Sequence, residues 1–68
     1  MEDALLTLME SELARTEANA KYFSSLATSH RSDPNSADWQ TAANEFARLA
    51  KAWQEAIELR RKDLESYA

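Results

Sequence analysis

Residues 29–36 read Ser-His-Arg-Ser-Asp-Pro-Asn-Ser, and this stretch is the one interruption of an otherwise helical pattern. It collects the sole proline of the chain with three serines, an aspartate and an asparagine, all of which favour turns. Asp33 before Pro34 suits a helix N-cap followed by proline at the first helical position, and Ser36 is a competing cap. We therefore predict a turn over about 29–35 with a helix on either side.

Both flanking segments repeat apolar residues every seven positions, which places them along one face of a helix. We expect helix 1 over about 2–28 and helix 2 over about 36–66. Helix 2 carries bulky aromatic residues on one such column and small or aliphatic residues on the neighbouring column. The side chains expected in the core or in a dimer contact are Leu6, Met9, Leu13, Phe23, Trp39, Phe46, Trp53, Ile57 and Leu64.

The composition favours an all-α protein that forms a single domain over 1–68. The chain has no glycine and good helix formers dominate it, so a fold rich in tight β-turns is disfavoured. A short connection between two long helices predicts an antiparallel two-helix hairpin. With the turn centred near residues 32–33, Phe23 should face Ala43 and Ala20 should face Phe46, so that small residues meet large ones.

Apolar residues also occupy positions beside these columns, so each helix has an apolar face wider than one partner helix can cover. These flanking residues are Leu5, Leu8, Tyr22 and Leu26 in helix 1, and Ala42, Leu49 and Ala56 in helix 2. A chain of 68 residues is near the size at which a single core is marginal. We therefore expect a homodimer in which two hairpins form a four-helix bundle, with a different protein as the alternative occupant of this surface.

The sequence offers no signature of catalysis or of cofactor binding. It has no cysteine, a single histidine, His30, and no glycine for a phosphate-binding loop. We expect no enzyme activity, no cofactor and no metal. No apolar run approaches the roughly 20 residues of a membrane span, and Met1 to Leu8 is acidic where a signal peptide is basic, which predicts a cytoplasmic protein. The net charge of −4 and the mixed signs disfavour a nucleic-acid partner.

These features favour a small interaction module that binds a larger protein and modulates it by inhibition or sequestration. A phage- or mobile-element-encoded inhibitor of a bacterial host regulator is a setting that fits this size and acidity. Tyrosine and arginine are over-represented among interface residues that contribute most binding energy. The side chains expected to bind a partner are Tyr22, Leu26, Arg48, Leu49, Lys51 and Tyr67.

Three alternatives stay open. The architecture resembles that of the helical-hairpin co-chaperones of type III secretion needle subunits. It also resembles an RNA-binding hairpin dimer of the plasmid copy-number regulator kind, for which Lys21, Arg48 and Lys51 would supply the basic stripe. A structural subunit of a larger assembly is the third.

Overall fold

The computed structural model describes residues 3–67, and these residues form two helices, α1 (Ala4–Ser29) and α2 (Ser36–Ser66), with no β-strand. The helices pack against each other as a hairpin, which confirms the all-α prediction. At one end of the hairpin Asp3 bonds to Arg60, and at the other end His30 packs on Trp39, so the helices run antiparallel. Glu2, where helix 1 was expected to begin, lies outside the described residues.

The turn over residues 30–35 is held by its own polar groups. The backbone N–H of His30 donates to the Leu26 carbonyl at 3.0 Å and completes the last turn of α1. The Asp33 carboxylate accepts the backbone N–H of Asn35 at 2.8 Å, and the Asp33 carbonyl accepts the N–H of Ser36 at 3.0 Å. The N-cap residue of α2 is consequently Asn35, and not Asp33 or Ser36 as expected. The Asn35 side chain makes no capping hydrogen bond. The Asp33 side chain is already engaged two residues ahead, which keeps it from capping the helix.

Alanine supplies most of the buried side chains in the contact between the two helices. Within residues 3–67 the buried residues of α2 are Ala43, Ala50 and Ile57, which lie seven residues apart on one column. Those of α1 are Thr16 and Ala27. The Thr16 hydroxyl donates to the Glu12 carbonyl of its own helix at 2.7 Å, so its burial leaves no unpaired polar group. Alanine along the contact lets the two backbones approach closely.

Most of the side chains expected in the core or a dimer contact are half-buried. Ile57 is buried, with 4% of its surface exposed. The half-buried residues of this set are Leu6, Met9, Leu13, Phe23, Trp39, Phe46, Trp53 and Leu64. They lie along the edges of the helix contact, where part of each side chain remains exposed to solvent.

The aromatic rings contact each other across the hairpin. Phe23 and Phe46 stack with ring centroids 5.6 Å apart and planes 6° from parallel. We expected Phe46 to face Ala20, and Phe23 to face Ala43. Large residues instead meet at this level, and the small residues Ala20 and Ala43 line a shallow groove beside them. Offset stacking of two rings adds about 0.5–1.5 kcal/mol beyond the burial of their area.

The hairpin is long and thin, measuring 55 × 16 × 11 Å, with a radius of gyration of 15.8 Å. A compact domain of this length has a radius of gyration of about 11 Å. The accessible surface is 5316 Å², against roughly 4,300 Å² for a typical folded monomer of this mass. One chain therefore exposes about 1,000 Å² more than a compact monomer does.

Candidate interaction surface

The hairpin has two broad faces, and one of them is polar. A groove on this face is lined by Glu10, Leu13, Ala14 and Glu17 of α1 and by Gln54, Ile57, Glu58 and Arg61 of α2. Arg61 spans the groove, with its Nη2 atom 3.7 Å from Oε2 of Glu10. Since these residues place one side of each helix on the polar face, the other sides of both helices share the opposite face.

The opposite face is apolar on its α2 side. From α2 it receives the half-buried column of Trp39, Phe46 and Trp53. From α1 it receives Leu5 and Leu26, and the half-buried polar residues Glu12 and Asn19 lie between them on the same column. Apolar groups thus run along the α2 side of this face, whereas its α1 side is mixed.

The apolar surface extends around α2 as a row of residues that are exposed apart from Ala56, which is half-buried. We call Leu49, Ala52, Ala56 and Leu59 the outer seam. Ala52 and Leu59 each come two residues after a buried contact residue, which turns them about 200° round the helix axis, away from α1. Leu49 is 51% exposed and Leu59 is 64% exposed. Trp53 lies beside the seam and, with its first three members, lines a shallow apolar depression.

Four of the residues expected to bind a partner carry apolar or aromatic side chains, and three of these are exposed. Leu49 belongs to the outer seam. Tyr22 is 60% exposed and packs edge-on against Phe23 at 5.3 Å. Leu26 is half-buried beside the helix contact. Tyr67 is 85% exposed at the end of α2, which leaves its ring almost free of contacts within the chain.

The two expected basic residues lie on different sides of α2. Lys51 comes two residues after Leu49, about 200° round the axis, and belongs to the polar side of α2. Arg48 is exposed next to the outer seam and pairs with Glu45 of its own helix at 3.3 Å. The structure therefore does not gather Arg48 and Lys51 into one basic patch.

An ion pair between the two ends of the chain is a feature that sequence analysis missed. Arg60 Nε lies 2.8 Å from Asp3 Oδ2, and its Nη2 lies 3.1 Å from Oδ1, so the guanidinium grips both carboxylate oxygens. The hydrogen bonds from Arg60 hold the pKa of Asp3 below its ordinary value, with a further contribution from the Leu6 backbone N–H. The carboxylate in turn raises the pKa of Arg60. No local sequence signal shows this pair, because it depends on how the two helices are aligned.

The sequence did contain a signal for the rest of the outer seam. Leu49, Ala52, Ala56 and Leu59 are spaced by three, four and three residues, the interval of a second helix-packing row. Ala52 and Leu59 were overlooked because the aromatic column next to them dominates the pattern of α2.

Within residues 3–67 no three histidine or acidic side chains come together as metal ligands. Neither of the two helices described combines the length and apolar character required to cross a membrane. Comparison of the chain with protein-family models, with curated proteins and with solved structures found no match. The candidate site of this protein is therefore defined by its own geometry, as an apolar face continued by the outer seam of α2.

Proposed function

We propose that this chain is a non-enzymatic interaction module that pairs with a second copy of itself and, as a dimer, binds and modulates a larger protein. The observation that carries this proposal is the outer seam, an apolar row on α2 that its own partner helix leaves exposed. Two hairpins joined through their seams form a four-helix assembly in which the two α2 helices pack on each other at the centre and the two α1 helices lie outside.

The amount of exposed surface supports a dimer. A stable interface of standard size removes about 800 Å² from each partner. The excess of about 1,000 Å² over a compact monomer is of that order. Burying this surface would bring each chain close to the surface-to-volume ratio of an ordinary domain.

The spacing of the seam also favours a second copy as its occupant. Leucine and alanine at intervals of three and four residues interlock with a helix that carries the same intervals. A second α2 supplies that spacing by construction, since a two-fold axis places the same surface on both sides.

The exposed tyrosines support a further partner. Tyr22 lies on α1, and Tyr67 lies at the end of α2 beyond the outer seam. Tyrosine contributes large contact area at low cost in side-chain entropy, which suits a binding surface. A module of this kind acts by occupying a surface of the larger protein and thereby inhibiting or sequestering it.

Light scattering on the purified chain tests the dimer. The chain has a mass of 7.7 kDa, so a dimer has about twice that mass, ~15 kDa. Leu49→Glu places a charge in the seam and should return the mass to that of one chain. Ala47→Glu adds the same charge on the polar side of α2 and should leave the dimer intact. A wild-type mass of one chain at ~100 μM contradicts the dimer, because biological homodimers commonly associate at micromolar concentrations or below.

Binding of a larger protein is tested by affinity purification followed by reconstitution. The immobilised wild-type chain should retain a protein that the double variant Tyr22→Ser, Tyr67→Ser does not retain. That protein, once purified, should lose or change activity when the wild-type chain is added, and should be unaffected by the double variant. If no protein depends on the tyrosines for its retention, the modulator role is wrong while the dimer stands.

A further inference from the structure

Resting on the proposed function, we propose that the dimer binds the larger protein through the outer side of α1, where the occupant is a helix of that protein with a carboxylate opposite Arg15. We call the surface concerned the α1 row. Its members are Leu8, Ser11, Arg15, Ala18, Tyr22 and Ser25, and all six are exposed.

The α1 row lies on a side of α1 that is turned away from the helix contact. Tyr22 comes one residue before the half-buried Phe23, and Arg15 comes one residue before the buried Thr16, so each is turned about 100° from the contact. Ala18 comes two residues after Thr16 and is turned about 200°. In the proposed dimer the α1 helices lie outside, so the row remains open to a further partner.

The spacing of the α1 row fits a helix as its occupant. Its members are three and four residues apart, the interval at which two helices interlock. Large and small side chains alternate along the row, so Ser11 and Ala18 leave spaces on either side of Arg15. Bulky side chains of a partner helix can fill these spaces, while Leu8 and Tyr22 project between the turns of that helix.

Tyr22 is the anchor of the row because other rings hold it in place. Its ring packs edge-on against Phe23 at 5.3 Å, and Phe23 stacks on Phe46 of α2 at 5.6 Å. The residue is nevertheless 60% exposed, so its outer side is open to a partner. A side chain that is ordered before binding loses less entropy on binding than a mobile one. Tyr67 is 85% exposed and lacks such support, which makes it the weaker candidate.

Arg15 sets the charge that the partner helix presents. It is the one charged member of the α1 row, and its side chain is 72% exposed. Its Nη1 atom lies 3.7 Å from Oε1 of Glu12, which is beyond hydrogen-bonding range. The guanidinium therefore retains donors for a second carboxylate, and arginine favours such planar, charge-assisted pairs.

A second copy of the chain is a poorer occupant of this row than an acidic helix. No member of the row is acidic, so the members of a second α1 row supply no carboxylate to Arg15 in any alignment. Glu12, which lies beside the row, already faces its own Arg15. Nucleic acid is disfavoured too, because the row carries one cation and the chain has a net charge of −4.

Photocrosslinking on the full chain tests the location of the site. Benzoylphenylalanine in place of Ala18 should crosslink to the protein that the wild-type chain retains in affinity purification. Mass spectrometry should place the link in a helix of that protein that carries aspartate or glutamate. The same group in place of Ala47, on the polar side of α2, should give no such product.

Calorimetric titration of that protein, once purified, tests the roles of the two central side chains. Arg15→Glu and Tyr22→Ser should each raise the dissociation constant by roughly tenfold or more. Lys51→Glu, the matched reversal on the polar side of α2, and Tyr67→Ser should leave it nearly unchanged. Reversal of the carboxylate in the crosslinked helix should restore binding to Arg15→Glu, which a merely structural role of Arg15 cannot produce. Circular dichroism of each variant shows whether the helices persist.

The outcomes separate this proposal from the function on which it rests. If no retained protein depends on the tyrosines, the modulator role and the α1 row are both wrong. A retained protein that requires Tyr67 but neither Tyr22 nor Arg15 overturns the α1 row while the modulator role stands. Crosslinks from position 18 to a second copy of the chain or to nucleic acid overturn the partner helix in favour of that occupant. A crosslinked helix whose charge reversal fails to restore Arg15→Glu overturns the proposed carboxylate.

Discussion

Ile57 and Leu59 provide a direct test of which side of α2 forms the core. They are isomeric side chains two residues apart on the same helix. Ile57 is 4% exposed against α1, whereas Leu59 is 64% exposed on the outer seam. Replacing each with alanine removes the same atoms from opposite sides of the helix.

The burial of Ile57 sets the expected loss. Replacement of a buried isoleucine by alanine costs about 2–5 kcal/mol, from lost transfer free energy and from the cavity left behind. Ile57 also lines the groove on the polar face, where neighbouring side chains can move in to fill the space. The loss should therefore lie in the lower part of this range, at about 2–3 kcal/mol. An exposed substitution such as Leu59→Ala should change the unfolding free energy of a single chain by less than about 0.5 kcal/mol.

Urea unfolding followed by helical circular dichroism measures both effects. At protein concentrations at which the dimer has dissociated, Ile57→Ala should lose its helical signal at much lower urea than the wild type, and Leu59→Ala should match the wild type. At concentrations at which the dimer forms, Leu59→Ala should also become less stable than the wild type, because association stabilises the folded chain by mass action.

Equal losses for the two variants at low concentration would refute the assignment of Ile57 to the core. So would an Ile57→Ala chain as stable as the wild type. A concentration-independent effect of Leu59→Ala would show instead that Leu59 is packed within its own chain.

Two further predictions concern the chain ends and the close helix contact. Because the pKa of Asp3 in the folded protein lies below its ordinary value of 3.8, the stability that the Arg60 pair contributes is present above about pH 4 and lost as the pH falls through the lowered pKa. The unfolding free energy, measured between about pH 2 and pH 6, should fall at low pH in the wild type and in Arg61→Gln. The fall should be smaller in Arg60→Gln. Ala50→Leu should cost about 1–3 kcal/mol by overpacking the helix contact, whereas Ala18→Leu on the exposed side of α1 should leave the thermal unfolding midpoint nearly unchanged.

The helices and the turn could be predicted from the sequence because they depend on neighbouring residues. Proline, aspartate and the serines of residues 29–36 interrupt the helical pattern, and the absence of glycine removes most other breaks. The expected second helix over about 36–66 matches α2 (Ser36–Ser66) closely for this reason. The exposed positions of Tyr22 and Leu49 were likewise expected from their place beside the main columns.

The cap of α2 and the partners of the aromatic rings could not be predicted in the same way. Asn35 became the cap residue because the Asp33 carboxylate accepts a hydrogen bond within the turn, and the sequence offered both Asp33 and Ser36 as caps. The stacking of Phe23 on Phe46 requires one alignment of the helices out of several.

The sequence by itself determined that this protein is a pair of helices with a turn between them and more apolar surface than one hairpin can cover. Only the tertiary structure decided which columns of the two helices are in contact. It also decided that Arg60 pairs with Asp3 and that Leu59 belongs to an exposed seam. The physical reason is the repeat itself. A pattern that recurs every seven residues is nearly unchanged when one helix slides along the other by two turns. The choice among such alignments is made by ring contacts, side-chain volumes and ion pairs between residues far apart in the chain.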